Sequence, residues 1–98
     1  MVSPNRHPPS AAVLRLAPED EVAVAVTPLA AGDSIRLGDL ELAVLDPIPA
    51  GHKVSLVGIP MGAPIRKYGQ PIGVATREIQ AGSHVHGHNC AVGAFDRT

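Results

Sequence analysis

Residues 48–65 read "IPAGHKVSLVGIPMGAPI", and one pattern occurs in them twice. In "IPAGHKV" (48–54) and "IPMGAPI" (59–65) an apolar residue is followed by two spacers, a glycine, two spacers and a second apolar residue. Working outward, the same pattern appears in "LAAGDSI" at 29–35 and "IQAGSHV" at 79–85. The physical reading is a strand end, a tight turn whose glycine tolerates a positive φ, and the start of a new strand. Glycines 32, 51, 62 and 82 are spaced by 19, 11 and 20 residues, which is too uneven for a solenoid. A local turn device used repeatedly within one compact sheet structure fits better.

The remaining chain agrees with short strands. "AAVLRLAPEDEVAVAV" (11–26) gives a strand, a Pro-Glu-Asp-Glu turn, and then Val22, Val24 and Val26 alternating with alanine, as in a strand buried on one face. Asp20 could start one helical turn there, while Glu19, Asp20 and Glu21 read most simply as a solvated acidic turn. "DLELAVLD" (39–46) and "QPIGVATREI" (70–79) are strand-like, and Gly73 within the second marks a bulge or a close backbone approach. Residues 1–10, "MVSPNRHPPS", read as a disordered lead-in with His7 solvated, so the domain runs over 11–95 with a last strand through Phe95.

Composition limits function as well as fold. Ninety-eight residues support one modest core, so a deep active site would have to be shared with another chain. Aromatics are 2% of the chain and the formal net charge is −1, which offers neither a stacking platform nor a basic footprint for nucleic acid. No apolar run is long enough to span a bilayer, and a soluble, cytoplasmic protein is expected. A single cysteine, Cys90, excludes an internal disulfide.

Chemistry concentrates in "AGSHVHGHNC" (81–90), where His84, His86 and His88 stand two apart with Asn89 and Cys90 behind them. On an extended strand alternate side chains share a face, so the three imidazoles would form one row of nitrogen donors suited to a divalent first-row metal. Side chains two apart sit about 7 Å apart at Cα, so two reach one metal more easily than three, and the third could move protons. Cys90 is a metal ligand, a reactive thiol or a small buried hydrophobe. His52 and Lys53, on a repeat turn, could bind a carboxylate, or form an ordinary solvated turn. Arg66, Lys67, Tyr68 and Gln70 gather the densest positive charge and the sole tyrosine, as an anion site or as a tyrosine packed on the sheet.

Three markers, "AGHKV", "KYGQPIGVATREIQAG" and "HVHGHN", give the chain a family resemblance. Residues 48–89 strongly, and 11–47 loosely, resemble the SAF-type β-clip domain of altronate and galactarate dehydratases, which also occurs as the separate small subunit of (R)-sulfolactate sulfo-lyase. Gly87 replaces an apolar residue usual in the last motif. The resemblance implies a mainly β, small β-clip domain that works with a large catalytic subunit of the same lyase. It further implies removal of water or sulfite from a sugar acid or related 2-hydroxy acid to give a 2-oxo acid, with a divalent metal, Fe(II) or Mn(II). On that basis His84 and His86 would bind the metal or transfer protons, and His88 and Asn89 would orient them or the substrate. His52, Lys53, Lys67 and Tyr68 would line the anionic end. A homo-oligomer is compatible with so small a sheet, whose strand edges are exposed. The competing class is a non-catalytic β-clip module that docks on a larger partner.

Overall fold

The computed structural model describes residues 12–92. Nine short strands and no helix make up the described chain, which bears out the mainly β expectation. They are β1 (Val13–Leu14), β2 (Val22–Ala25), β3 (Ser34–Leu37), β4 (Leu40–Ala43), β5 (Lys53–Ser55), β6 (Pro64–Lys67), β7 (Gln70–Ala75), β8 (His84–Val85) and β9 (Cys90–Ala91). All pairings are antiparallel, in sheets ordered β1-β2-β5-β8, β3-β4 and β6-β7-β9. The expected tail over 1–10 and a strand through Phe95 lie outside the described residues.

All four repeat glycines have positive φ, at 94°, 85°, 87° and 91° for Gly32, Gly51, Gly62 and Gly82. Each is the third residue of a turn closed by a backbone bond from the fourth residue to the first: Asp33 to Ala30, His52 to Pro49, Ala63 to Pro60 and Ser83 to Gln80. A positive φ at that position is the type II signature.

The uneven spacing resolves as a duplication. Gly32 and Gly62 are 30 apart, and Gly51 and Gly82 are 31 apart. The bridge Leu29–Ile48 in the first unit is repeated as Ile59–Ile79 in the second. Gly32 N–H to Val44 O recurs as Gly62 to Ala75, and Gly51 N–H to Ala25 O as Gly82 to Ser55. The extra residue sits in β7. Ile65 faces Gly73 and Arg66 faces Pro71, so Ile72 is left without a partner, a bulge within the stretch that Gly73 marked. A Cβ on Gly73 would lie 2.5 Å from Ala91 O and 2.8 Å from Cys90 Sγ, so β9 also approaches closely there.

Each unit has its own core. Leu29, Ile35, Val44, Ile48 and Val54 form one, and their counterparts Ile59, Ile65, Ala75, Ile79 and Val85 form the other, joined by Val22 and Cys90. Burial along β2 differs from the expected valine face: Ala23 and Ala25 enter the first core, Val22 enters the second, and Val26 is exposed. Small side chains suit β2 because it is covered on both faces.

Only Glu19 of the acidic turn is exposed, as expected of a solvated surface; Asp20 and Glu21 are engaged by the protein. Asp20 is buried and its carboxylate accepts the backbone N–H groups of Ala17 (3.1 Å), Tyr68 (2.9 Å) and Gly69 (2.7 Å). No helical turn follows it; residues 17–20 form a reverse turn. Charge-assisted bonds of this kind contribute roughly 1.5–3 kcal/mol each, more than the roughly 1–2 kcal/mol cost of the left-handed conformation that Tyr68 adopts at φ 62°. Glu21 accepts the backbone N–H of Arg66 at 2.7 Å and pairs with its guanidinium. The tip of the β6–β7 hairpin is thereby fastened beside the start of β2.

Candidate metal and proton-transfer site

β8 pairs with β5 so that Val54 faces His84 and Lys53 faces Val85. His52, in the turn just before β5, therefore comes beside His84 of β8 and the histidines that follow it. The expected row of three on one strand is corrected here, because β8 ends at Val85 and residues 86–89 form a bend and turn leading into β9. Backbone N–H groups of Asn89 and Cys90 both donate to His86 O, at 3.1 and 2.9 Å. Gly87, in the position usually apolar, lies within this turn, where an extended backbone is not required.

The turn still gathers the rings. Centroids of His52 and His86 are 4.3 Å apart, those of His52 and His84 5.1 Å, and those of His84 and His86 5.4 Å, all stacked within 24° of parallel. His88 sits 5.2 Å from His84 in a tilted arrangement. His52 Nδ1 lies 2.9 Å from His84 Nε2. One of these nitrogens must carry the hydrogen and the other must accept it, so the pair cannot hold protons on both facing atoms.

Asn89 shapes the cluster. Buried to 5% exposure, it uses both ends of its amide: Oδ1 accepts His86 N–H at 2.9 Å, and Nδ2 donates to His84 O at 2.8 Å. The two backbone groups flanking Val85 are thus tied to one side chain. Asp46, which nothing in the sequence singled out, accepts the backbone N–H of His84 at 2.9 Å and fixes the other side of β8.

Lys53 shares a concavity of about 240 Å³ with His86, Gly87, Cys90 and Val92. Cys90 is 6% exposed, and burial raises its thiol pKa against the opposing pull of Lys53, so it is the small buried hydrophobe among the three expected fates. Lys67 and Tyr68 stand elsewhere. They occupy the β6–β7 tip fastened to Asp20, beyond the Leu56 end of β5, whereas His52 precedes its opposite end.

His84 and His86 both titrate below the ordinary imidazole value. For His84 the causes are partial burial, then His52, His88 and His86, opposed by Asp46. For His86 they are loss of solvation among its neighbours, then His52, Lys53 and His88. Both rings are therefore neutral near pH 7 and have lone pairs to offer. A base whose folded pKa is lowered takes up more protons unfolded, so its contribution to stability is complete above pH 6.5 and is lost as pH falls from there through the folded values. Thermal melts in the presence of a chelator should accordingly show a melting temperature that drops below pH 6.5, and less so in the His84→Gln variant.

Donor nitrogens of His52, His84 and His86 lie within 4.8 Å of one another. Nitrogens bound to one ion at about 2.1 Å are at most about 4.2 Å apart, so the stacked rings would have to turn and draw closer to share one ion. The set fits a divalent first-row metal, and it includes His52, which the sequence had placed at the anionic end.

Comparison with known proteins decides the family. Residues 11–93 match the family model for the altronate/galactarate dehydratase SAF domain. The chain belongs to that SAF-domain family. It is 40% identical to altronate dehydratase of Escherichia coli (strain K12) over 77 residues, 79% of this chain and 16% of that enzyme. Over 52 residues it is 40% identical to (2R)-sulfolactate sulfo-lyase subunit alpha of Paracoccus pantotrophus, covering 53% of this chain and 78% of that subunit. Altronate dehydratase of Bacillus subtilis (strain 168) is 32% identical over 83 residues, 85% of this chain and 17% of that enzyme. This SAF domain therefore spans about a sixth of the altronate dehydratases and most of the Paracoccus subunit. Among the described residues no helix is long and apolar enough to cross a membrane.

Proposed function

We propose that this SAF domain is the small subunit of a two-subunit, metal-dependent lyase that converts a sugar acid or related 2-hydroxy acid into a 2-oxo acid. The observation that carries the proposal is the grouping of donor nitrogens of His52, His84 and His86 within 4.8 Å of one another, beside the concavity that Lys53 lines. A family whose relatives are named as dehydratases and as sulfo-lyase alpha subunits supports the lyase class. The alpha-subunit relatives support a separately encoded partner. A cytoplasmic location accords with this reading.

Elimination from a hydroxy acid needs a base at the α-carbon, a proton for the departing hydroxyl when water leaves, and positive charge near the carboxylate. Lys53 supplies a compact cation for the carboxylate. His52, His84 and His86 would hold the ion, and Asn89 would keep the latter two in register by its paired backbone bonds. Held there, an Fe(II) or Mn(II) ion supplies Lewis-acid polarisation of a substrate oxygen. Imidazole donors suit Fe(II) better than Mn(II), whose preference is for oxygen. His88, in the turn and next to His84, is left to accept or deliver a proton. Lys67 and Tyr68, carried by a different edge, would reach the substrate only where the large subunit wraps around both.

The test is to co-purify the chain with a dehydratase-like large subunit encoded beside it and to screen aldonates, aldarates and sulfolactate for 2-oxo acid formation. Turnover that needs both chains and is abolished by a chelator is the expected result. Full turnover by the large subunit alone would make this domain a non-catalytic docking module.

A further inference from the structure

The duplication leaves its two units unequally covered. In the first, Asp46 is engaged by the N–H of His84. Its counterpart 31 residues on, Arg77, has no ion-pair partner among the described residues, nor has Glu78 beside it. Between these two residues and Met61 lies an open hollow of about 600 Å³ bounded on one side by Gly58, Ile59 and Pro60. Across the Gly58–Pro60 ridge is a second hollow of about 280 Å³, walled by Glu21 and Arg66. Met61 is 69% exposed and lines the larger hollow, Val57 is 38% exposed and lines the smaller, so an exposed apolar side chain flanks the ridge on each side and each hollow carries one cation and one anion.

We infer that this face is where a second copy of the chain binds, through a two-fold interface. A two-fold contact needs a self-complementary surface, in which residue i of one copy meets j of the other and j meets i. Adjacent opposite charges meet that requirement: Arg77 of each copy faces Glu78 of the other, while Met61 of each enters the other's larger hollow. Balanced charge also makes the face a poor match for a uniformly acidic or basic partner. The ridge follows the Leu56 end of β5 and His52 precedes its other end, so pairing here leaves the histidine cluster open to substrate and to a large subunit. The inference is independent of the metal site.

Sedimentation velocity of the full chain over micromolar concentrations tests it, with circular dichroism confirming that each variant is folded. Twice the chain mass is expected for the unaltered protein. Met61→Glu should weaken the dimer roughly 30-fold or more, as loss of a buried anchor does. Arg77→Glu should also weaken it, and Arg77→Glu combined with Glu78→Arg should restore it, because the reciprocal pairs are re-formed in reverse. A chain that is monomeric throughout would overturn the inference. So would a dimer indifferent to these substitutions, one dissolved by chelator alone, or a monomer whose Met61 is protected only when a large subunit is bound.

Discussion

Replacing His86 by alanine is expected to abolish 2-oxo acid formation by the two-subunit lyase while leaving the small domain folded and associated. The ring is exposed and makes no hydrogen bond among the described residues; the turn that carries it is closed by backbone bonds to His86 O and by the Asn89 amide. Removing an exposed ring of this kind changes stability by about 0.5 kcal/mol or less. What disappears is one of three donor nitrogens grouped within 4.8 Å and one wall of the Lys53 concavity. Loss of a group acting on the reacting centre lowers the rate at least about a hundredfold. Measured kcat with the large subunit, beside the melting temperature of the isolated chain, separates the two effects. An undiminished kcat would remove His86 from the site.

The largest effect on stability is expected from Gly82→Ala. Gly82 has φ 91°, and a Cβ there would lie 2.1 Å from Ala43 O and 3.3 Å from Leu45 Cγ. Its N–H is bonded to Ser55 and its carbonyl to Leu45 N–H, so neither the turn nor β4 can retreat without breaking the contact between the two units. Gly62 provides the comparison, with φ 87° and no atom within 4 Å of an added Cβ. Gly62→Ala should cost only the left-handed conformation, about 1–2 kcal/mol. Gly82→Ala adds a backbone clash and should exceed about 4 kcal/mol, a large share of the stability of a domain this size. Urea titration of the two variants measures the difference, and equal midpoints would mean that the contact with Ala43 yields freely.

Much of this arrangement was legible because it depends on local backbone chemistry. A glycine with apolar residues three positions to either side specifies a turn wherever it occurs, and all four such turns formed. What local patterns cannot carry is pairing over distance. The duplication was hidden by the single bulged residue Ile72, which shifts the interval from 30 to 31. Asp20 looked like a surface carboxylate because its ligands, Tyr68 N–H and Gly69 N–H, are 48 and 49 residues away. His52 joined the cluster only through the β5–β8 pairing. Asp46 acts on a backbone group, which leaves no signature in residue types. The histidine spacing singled out side chains that do lie together, but for an incomplete reason, since a turn held by Asn89, and not a continuous strand, gathers the rings.

The most direct test of the histidine cluster as a metal site is a Zn(II) titration of the isolated chain followed by the imidazole nitrogen signals in ¹H–¹⁵N spectra. Binding of one ion per chain should move the ring signals of His52, His84 and His86 together, and the response should vanish in the His84→Ala variant. Rings that respond independently, with no stoichiometric end point, or an ion bound without His52, would contradict it.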